Sequence, residues 1–152
     1  MSSWVGGDIW FWHKIGQTIV IPTNAGWKSD GTNVMGAGLA KQASEKFPKL
    51  SLEYGRFCQQ KVSHIIFNQY KLILVPSKPL TSAKPFMSWN QDADYKVVET
   101  SLYWLEDHIG EVATTKLYVP LLGTGSGKLE KREVQAMMDR ILKNNRIVKV
   151  TY

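Results

Sequence analysis

The residue best suited to covalent chemistry is Lys78, which lies between Ser77 and Pro79, just past the apolar residues 72–75. A lysine amine is a nucleophile only when it is neutral, so it requires burial or neighbouring cations that lower its pKa. The end of a buried strand can provide such surroundings, and the amine could then attack an electrophilic carbon. The alternative is an ordinary solvent-exposed lysine.

Two glycine-rich segments are suited to binding an anion. Residues 36–38, Gly-Ala-Gly, follow the apolar residues 19–21 and a polar loop, and residues 123–127, Gly-Thr-Gly-Ser-Gly, follow the apolar residues 117–122. A helical pattern begins after each segment, so backbone N–H groups and the positive end of a helix would point at an anion. Either segment alone could be a plain strand-to-helix turn, but the two together predict phosphate binding.

The second glycine segment does not match the phosphate loop of nucleoside triphosphatases. That loop requires glycine, four further residues, and then Gly-Lys followed by Ser or Thr. Counting back from Gly127-Lys128, Leu122 occupies the position of the first glycine, and Leu129 occupies the position of the hydroxyl. The segment therefore predicts binding of a diphosphate by backbone N–H groups rather than a triphosphatase site.

The other polar candidates carry less specific patterns. Asp8 follows two glycines and could either form a turn or accept the exocyclic amine of adenine. Asp92 and Asp94 could form a carboxylate pair, but they precede a helical pattern and are expected to favour its N-terminus. The histidines lack the spacing of metal ligands, and the single Cys58 cannot form an internal disulfide or a cysteine cluster. We therefore expect no metal site and no cofactor.

Length, composition and charge limit the classes of function. The 152 residues suit a single domain with a buried core, and a hydrophobic content of 43% argues against disorder. No apolar run approaches the roughly 20 residues of a membrane helix, and the N-terminal residues do not resemble a secretory signal, so we expect a cytoplasmic protein. The net charge of +6 favours anionic ligands, although scattered basic residues are also typical of a solvated surface.

Apolar runs alternate with helical patterns along the chain. The predicted strands are residues 4–10, 18–22, 65–67, 72–75, 117–122 and 147–152, of which the third and fourth form a hairpin. The predicted helices are residues 39–47, 50–61, 95–109 and 130–143, and residues 80–94 form a long irregular loop. Trp10 and Trp12 are assigned to the first strand and its exit. This order predicts an α/β layered domain with a mixed sheet, in which both glycine segments leave the carboxyl ends of strands, where ligands bind.

Four segments resemble the macrodomain family, whose members bind ADP-ribose. They are Gly7-Asp8-Ile9, Pro22-Thr23-Asn24, residues 34–40 (Val-Met-Gly-Ala-Gly-Leu-Ala) and residues 123–129 (Gly-Thr-Gly-Ser-Gly-Lys-Leu). Residues 34–40, which lack the triple glycine of the commoner macrodomains, and the lysine of Pro76-Ser77-Lys78 resemble one branch in particular. That branch hydrolyses ADP-ribose from glutamate side chains or DNA bases, and it includes an antitoxin that reverses thymidine ADP-ribosylation. The resemblance implies one macrodomain over residues 1–152, with three α/β/α layers and a mixed sheet flanked by helices.

The resemblance also implies how ADP-ribose would bind. Asp8 would bind the adenine amine, and Ile9 would pack beside the ring. The residues expected to contact the diphosphate and the distal ribose belong to the two glycine segments, and they are Met35, Gly36, Gly38, Gly123, Thr124, Gly125, Ser126 and Gly127.

The catalytic residues that the resemblance implies are Lys78 and Asn24. Lys78 would attack the anomeric carbon of the distal ribose and form a transient lysine adduct, which water or a ring rearrangement resolves. Either Asn24 or Asn33 would contact this ribose, because residues 25–33 form a longer loop than is usual in the branch.

The acceptor that carries ADP-ribose is less constrained. Relatives that act on glutamate esters place an aspartate in the second glycine segment, where this chain has Gly127, whereas the DNA-acting relatives tolerate glycine. This favours a nucleic-acid or small-molecule acceptor, and the positive charge agrees. The alternatives are a phosphatase of ADP-ribose 1″-phosphate, a reader that binds ADP-ribose without catalysis, and a general nucleic-acid binder. The expected partner is ADP-ribose or an ADP-ribosylated macromolecule, without a membrane, and we expect a monomer.

Overall fold

A six-stranded mixed sheet forms the centre of the molecule in the computed structural model, which describes residues 4–152. The strand order is β1-β6-β5-β2-β4-β3, and all neighbouring strands are parallel except β3 and β4, which are antiparallel. The strands are β1 (Trp4–Gly6), β2 (Thr18–Asn24), β3 (Ile65–Phe67), β4 (Leu72–Lys78), β5 (Leu117–Pro120) and β6 (Ile147–Thr151). The predicted hairpin of β3 and β4 is confirmed.

Helices cover both faces of this sheet. They are α1 (Ile9–Lys14), α2 (Gly38–Lys46), α3 (Leu50–Gln59), α4 (Tyr95–His108) and α5 (Lys131–Ile141), with short 3₁₀ helices at Pro85–Asn90 and Ile109–Glu111. One apolar cluster joins the sheet to α4 and α5, and a second joins it to α1, α2 and α3. The molecule therefore has the predicted three α/β/α layers. Among residues 4–152, no helix has both the length and the apolar character of a membrane span.

The central strand β2 shows why the apolar runs are continuous. Ile19, Val20 and Ile21 are all fully buried, and successive side chains enter opposite apolar clusters. Side chains alternate between the two faces of a strand, so a strand covered by helices on both sides requires apolar residues at every position.

The predicted first strand is wrong beyond Gly6. Gly7 has a φ of 126°, and Asp8 then accepts a hydrogen bond from the backbone N–H of Trp10 at 3.0 Å, which begins α1. Trp10 and Trp12 therefore belong to a helix. The ring of Trp12 stacks on Tyr118 with a centroid separation of 4.8 Å. A spacing of two residues fits the period of a strand, but the cap at Asp8 begins a helix instead.

The ends of β2 and β4 also differ from the prediction. Both strands extend past their prolines, to Asn24 and Lys78, whereas the sequence predicted ends at residues 22 and 75. The pairing of β2 with β4 maintains the extended backbone, with a register shift between Thr23 and Asn24, and it brings Asn24 opposite Lys78. The four predicted helices are confirmed with small differences at their ends, and β5 ends at Pro120 rather than at residue 122.

A histidine lies in the layer below the end of β4. The Nε2 atom of His64 is 3.1 Å from the Ser101 hydroxyl, which donates a hydrogen bond of 2.6 Å to the carbonyl oxygen of Pro76. His64 stacks on Trp104, and His108 stacks on the same indole at 4.1 Å. Burial lowers the pKa of His64, and the nearby His108 lowers it further.

We expect this histidine to make the fold less stable in mild acid. Because the folded-state pKa of His64 lies below the unfolded value of about 6.5, the unfolded chain takes up the proton first as the pH falls. The free energy of unfolding from urea denaturation should therefore fall more between pH 7.5 and pH 5.5 in the wild type than in His64→Gln. Equal losses in the two proteins would contradict this assignment.

Candidate functional site

A cleft of about 850 Å³ opens at the carboxyl ends of the parallel strands. Residues from the ends of β2, β4, β5 and β6 form its floor, and both glycine segments line it. The predicted meeting of these two segments at one edge of the sheet is therefore confirmed. Asp8 follows β1 and Lys78 ends β4, so the strand order separates them by four strand spacings, or about 19 Å. The cleft is an elongated site with a different polar group at each end.

The first glycine segment leads directly into α2. Gly36, Ala37 and Gly38 line the cleft and are exposed, and a Cβ built at Gly38 would have no neighbour within 4 Å. No side chain caps the beginning of α2, so its first backbone N–H groups are available to a ligand. The helix dipole adds positive potential at the same place, which favours an anion.

The second glycine segment closes on itself through backbone hydrogen bonds. The Leu129 N–H donates to the Gly123 carbonyl at 2.9 Å, and the Ala93 N–H donates to the Gly127 carbonyl at 3.0 Å. A Cβ at Gly127 would lie 2.6 Å from the Gly123 carbonyl oxygen, whereas a Cβ at Gly125 would meet nothing within 4 Å. Gly123 and Gly127 are thus required by the closure of the loop, and Gly125 leaves open space where a ligand could approach the backbone.

The side chain of Asn33 supports Asn24 through hydrogen bonds. The Asn33 amide nitrogen donates to the Asn24 backbone carbonyl at 2.9 Å, to its side-chain oxygen at 3.0 Å, and to the Gly26 carbonyl at 2.8 Å. The Asn33 side-chain oxygen is buried without a hydrogen-bond partner among the described residues. Asn24 lines the cleft and Asn33 does not.

The hydrogen bonds of Asn24 leave one N–H for a ligand. Its side-chain oxygen accepts from the Gly26 N–H at 3.0 Å and from Asn33, and its amide nitrogen donates to the Val34 carbonyl at 2.9 Å. Because a backbone N–H and a backbone carbonyl fix the two ends, the orientation of the amide is determined. The remaining N–H can donate to a hydroxyl oxygen in the cleft.

Lys78 lies opposite Asn24 at the end of the paired strands. Its ammonium donates a hydrogen bond of 2.9 Å to the Trp89 carbonyl, which belongs to the 3₁₀ helix at Pro85–Asn90. Burial lowers the pKa of Lys78, the carboxylate of Asp92 opposes this shift, and the cation of Lys128 adds to it. The surroundings thus favour the neutral amine more than those of a freely exposed lysine do.

The residues at the opposite end of the cleft combine local structural roles with access to a ligand. Asp8 caps α1 and lines the cleft, and the buried Ile9 lines it as well. Tyr152 also lines this end, where its hydroxyl lies 3.1 Å from the Thr124 hydroxyl. Met35 is buried in the apolar cluster on the α2 side and is not among the cleft-lining residues.

Asp92 and Tyr152 also line the cleft, although the sequence assigned neither of them to ligand binding. Asp92 was grouped with Asp94 as a helix-terminal acid, but only Asp94 caps α4, by accepting from the Lys96 N–H at 2.7 Å. A helix needs only one N-cap residue, so the presence of two aspartates before this helix could have shown that one of them is not required for the cap. Within residues 4–152, no group of three or more His, Cys, Asp or Glu residues could hold a metal ion.

Comparison with known proteins identifies the fold. No protein-family model matches the chain, and no curated protein does. Among solved structures, Thermosipho africanus DarTG in complex with ADP-ribose aligns with 95% of this chain at 25% identity and a TM-score of 0.72. This chain spans 39% of the length of that DarTG chain.

Two isolated macrodomains align over the whole chain. The macrodomain of Thermus aquaticus DarG matches with 21% identity and a TM-score of 0.72, and 97% of it is covered. The macrodomain of Mycobacterium tuberculosis DarG matches with 20% identity and a TM-score of 0.71, also with 97% covered. The chain has the macrodomain fold and resembles the macrodomains of DarG.

Proposed function

We propose that this chain binds ADP-ribose and hydrolyses the bond between ADP-ribose and an acceptor on a macromolecule. The observation that carries the proposal is the register of β2 with β4, which faces an amide donor, Asn24, with a partly buried amine, Lys78, in a cleft lined by both glycine segments. The similar DarTG structure contains ADP-ribose, which supports this choice of ligand.

The shape of the cleft suggests the direction of the ligand. The diphosphate binds between the start of α2 and the second glycine segment, where backbone N–H groups and the helix dipole favour negative charge. The adenine lies at the end of the cleft that contains Asp8 and Ile9. The distal ribose then lies beside Asn24, whose remaining N–H donates to a ribose hydroxyl, and its anomeric carbon faces Lys78.

The reaction proceeds by displacement at the anomeric carbon. The neutral Lys78 amine forms a C–N bond to that carbon while the bond to the acceptor breaks and its electron pair leaves with the acceptor. Water then attacks the same carbon, which releases ADP-ribose and restores the amine. The hydrogen bond to the Trp89 carbonyl limits the rotation of the amine. Binding of the unreactive diphosphate and adenosine supplies the energy that orients the ribose.

The acceptor is a DNA base or a protein side chain, and two observations favour the base. A side chain at position 127 would collide with the Gly123 carbonyl oxygen, so the second glycine segment leaves no room there for the aspartate of the relatives that act on glutamate esters. The net charge of +6 favours a polyanionic substrate.

Replacement of Lys78 tests the catalytic proposal. We expect Lys78→Ala to release ADP-ribose from ADP-ribosylated single-stranded DNA at least about 10³-fold more slowly than the wild type, because the nucleophile is lost. Lys78→Arg is the matched control for charge: it keeps the cation but cannot supply a neutral amine, so it should be equally slow. Both variants should still bind ADP-ribose in calorimetry.

Other outcomes of the same assays select other functions. Equal rates for wild type and Lys78→Ala would remove this lysine from the mechanism. Tight binding of ADP-ribose without turnover of modified DNA or protein would identify a reader. Phosphate release from ADP-ribose 1″-phosphate alone would identify a phosphatase.

Two glycines with similar space around them test the diphosphate site. A Cβ at Gly125 or at Gly110 meets nothing within 4 Å, and neither has a positive φ, so Ala should leave the stability of both variants unchanged. We expect Gly125→Ala to weaken ADP-ribose binding about tenfold or more, about 1.4 kcal/mol, because the methyl group fills the space of the phosphate. Gly110→Ala, which lies away from the cleft, should bind like the wild type in calorimetry.

A double-mutant cycle tests whether the hydrogen bonds from Asn33 support the role of Asn24 in binding. Asn33→Ala should weaken ADP-ribose binding although it does not line the cleft, because the backbone carbonyl and the side-chain oxygen of Asn24 each lose a hydrogen bond that holds Asn24 in place. The effects of Asn24→Ala and Asn33→Ala on the binding free energy should therefore not add, with a coupling of about 0.5–3 kcal/mol. Urea denaturation checks that each variant is folded. Additive effects would show that Asn33 contributes only to stability.

A further inference from the structure

We propose that Asp92 is the proton-transfer residue of this site: its carboxylate takes a proton from the Lys78 ammonium and delivers it to the departing acceptor. The inference rests on the proposed function, because it assumes that Lys78 is the nucleophile. It assigns a task to a carboxylate that does not cap α4 and that forms a solvent-exposed ion pair with Lys128.

Backbone hydrogen bonds join the two residues that follow Asp92 to the second glycine segment and to β4. The N–H of Ala93 donates to the Gly127 carbonyl at 3.0 Å, and the N–H of Asp94 donates to the Ser77 carbonyl at 3.0 Å. The segment therefore bridges the second glycine segment and the residue that precedes Lys78. Asp92 stands at the start of this bridge and lines the cleft together with Lys78.

The neighbouring aspartate shows that Asp92 is not needed for the helix. Asp94 provides the N-cap of α4, and its side chain accepts the N–H of Lys96 at 2.7 Å. The Asp92 carboxylate instead points to Lys128, with its Oδ1 atom 3.6 Å from the lysine Nζ atom. The two side chains are 70% and 75% exposed, so neither is locked in place and the carboxylate can turn towards an incoming substrate.

Three charged side chains line the cleft near the end of β4, namely those of Lys78, Asp92 and Lys128. Burial lowers the pKa of Lys78, the carboxylate of Asp92 opposes this shift, and the ammonium of Lys128 adds to it. The Trp89 carbonyl accepts one N–H of Lys78. Among the described residues that line the cleft, the other acid is Asp8, which lies at the adenine end. Asp92 is therefore the carboxylate available to the reacting groups.

The proposed steps balance in atoms and charge. The Asp92 carboxylate takes one proton from the Lys78 ammonium, which gives a carboxylic acid and a neutral amine. The amine bonds to the anomeric carbon, the bond from that carbon to the acceptor breaks, and the acceptor atom receives the electron pair together with the Asp92 proton. The products are a protonated secondary amine adduct, the free acceptor and the restored carboxylate. Water then releases ADP-ribose and returns Lys78 to its ammonium form.

Two possible roles of Asp92 predict opposite changes in the reaction rate of the Asp92→Asn variant. If Asp92 transfers the proton, we expect the single-turnover release of ADP-ribose from ADP-ribosylated single-stranded DNA to slow by about 10²–10⁴-fold. If Asp92 acted only through its charge, its removal would lower the pKa of Lys78, increase the neutral amine and accelerate the release. The affinity for free ADP-ribose in calorimetry should stay within about twofold, because the acid does not bind the diphosphate.

Asp94→Asn is the matched control. It removes the same charge from the same segment, and Asn retains the capping ability, so its turnover should equal that of the wild type. The titration of Lys78, followed by NMR of 13C-labelled lysine, provides a readout independent of turnover: Asp92→Asn should shift it to lower pH. An unchanged titration would overturn the proposal, because the carboxylate would then not face the amine.

The failures of the two proposals are distinguishable. Wild-type rates in Asp92→Asn, together with an inactive Lys78→Ala, would overturn the role of Asp92 and leave the hydrolase intact. Wild-type rates in Lys78→Ala, or no turnover by the wild type, would refute the proposed function and with it the proton transfer.

Discussion

The structure depends on the parallel pairing of β2 with β4. Both strands are buried, and their backbone hydrogen bonds keep the chain extended through two prolines until Asn24 and Lys78 face each other. A register shift before Asn24 turns the end of β2, as irregular pairing commonly does beside functional sites. A slip of one residue would exchange side chains between the two apolar clusters, each of which is closely packed, so the core itself fixes this register.

The polar groups around this pairing are arranged by backbone hydrogen bonds rather than by ion pairs. The backbone N–H of Gly26 and the carbonyl of Val34 fix the amide of Asn24, and the carbonyl of Trp89 accepts a hydrogen bond from the ammonium of Lys78. The ion pair of Asp92 and Lys128 is open to solvent and adds little stability. Groups fixed by the backbone suit the positioning of a ligand, whereas exposed charges keep the freedom that proton transfer requires.

The glycines of the two segments are needed because they lack side chains, but they are needed for two different reasons. Gly123 and Gly127 are needed because the loop is too tightly closed for a Cβ. Gly38 and Gly125 border open space, where the backbone itself faces the cleft. A sequence motif of alternating glycines conceals this difference, which decides where a ligand can approach.

The sequence by itself determined the order of the strands and of the helices other than α1, the α/β layers and the presence of the two glycine segments at strand ends. Local periodicity and glycine content encode these features. It did not determine that Trp10 and Trp12 lie in a helix, that Asn24 rather than Asn33 lines the cleft, or that Asp92 and Tyr152 line it too. These placements follow from the closure of loops and the pairing of distant strands. Residues far apart in the chain become neighbours only when the sheet forms, so a local sequence pattern cannot show which of them will meet.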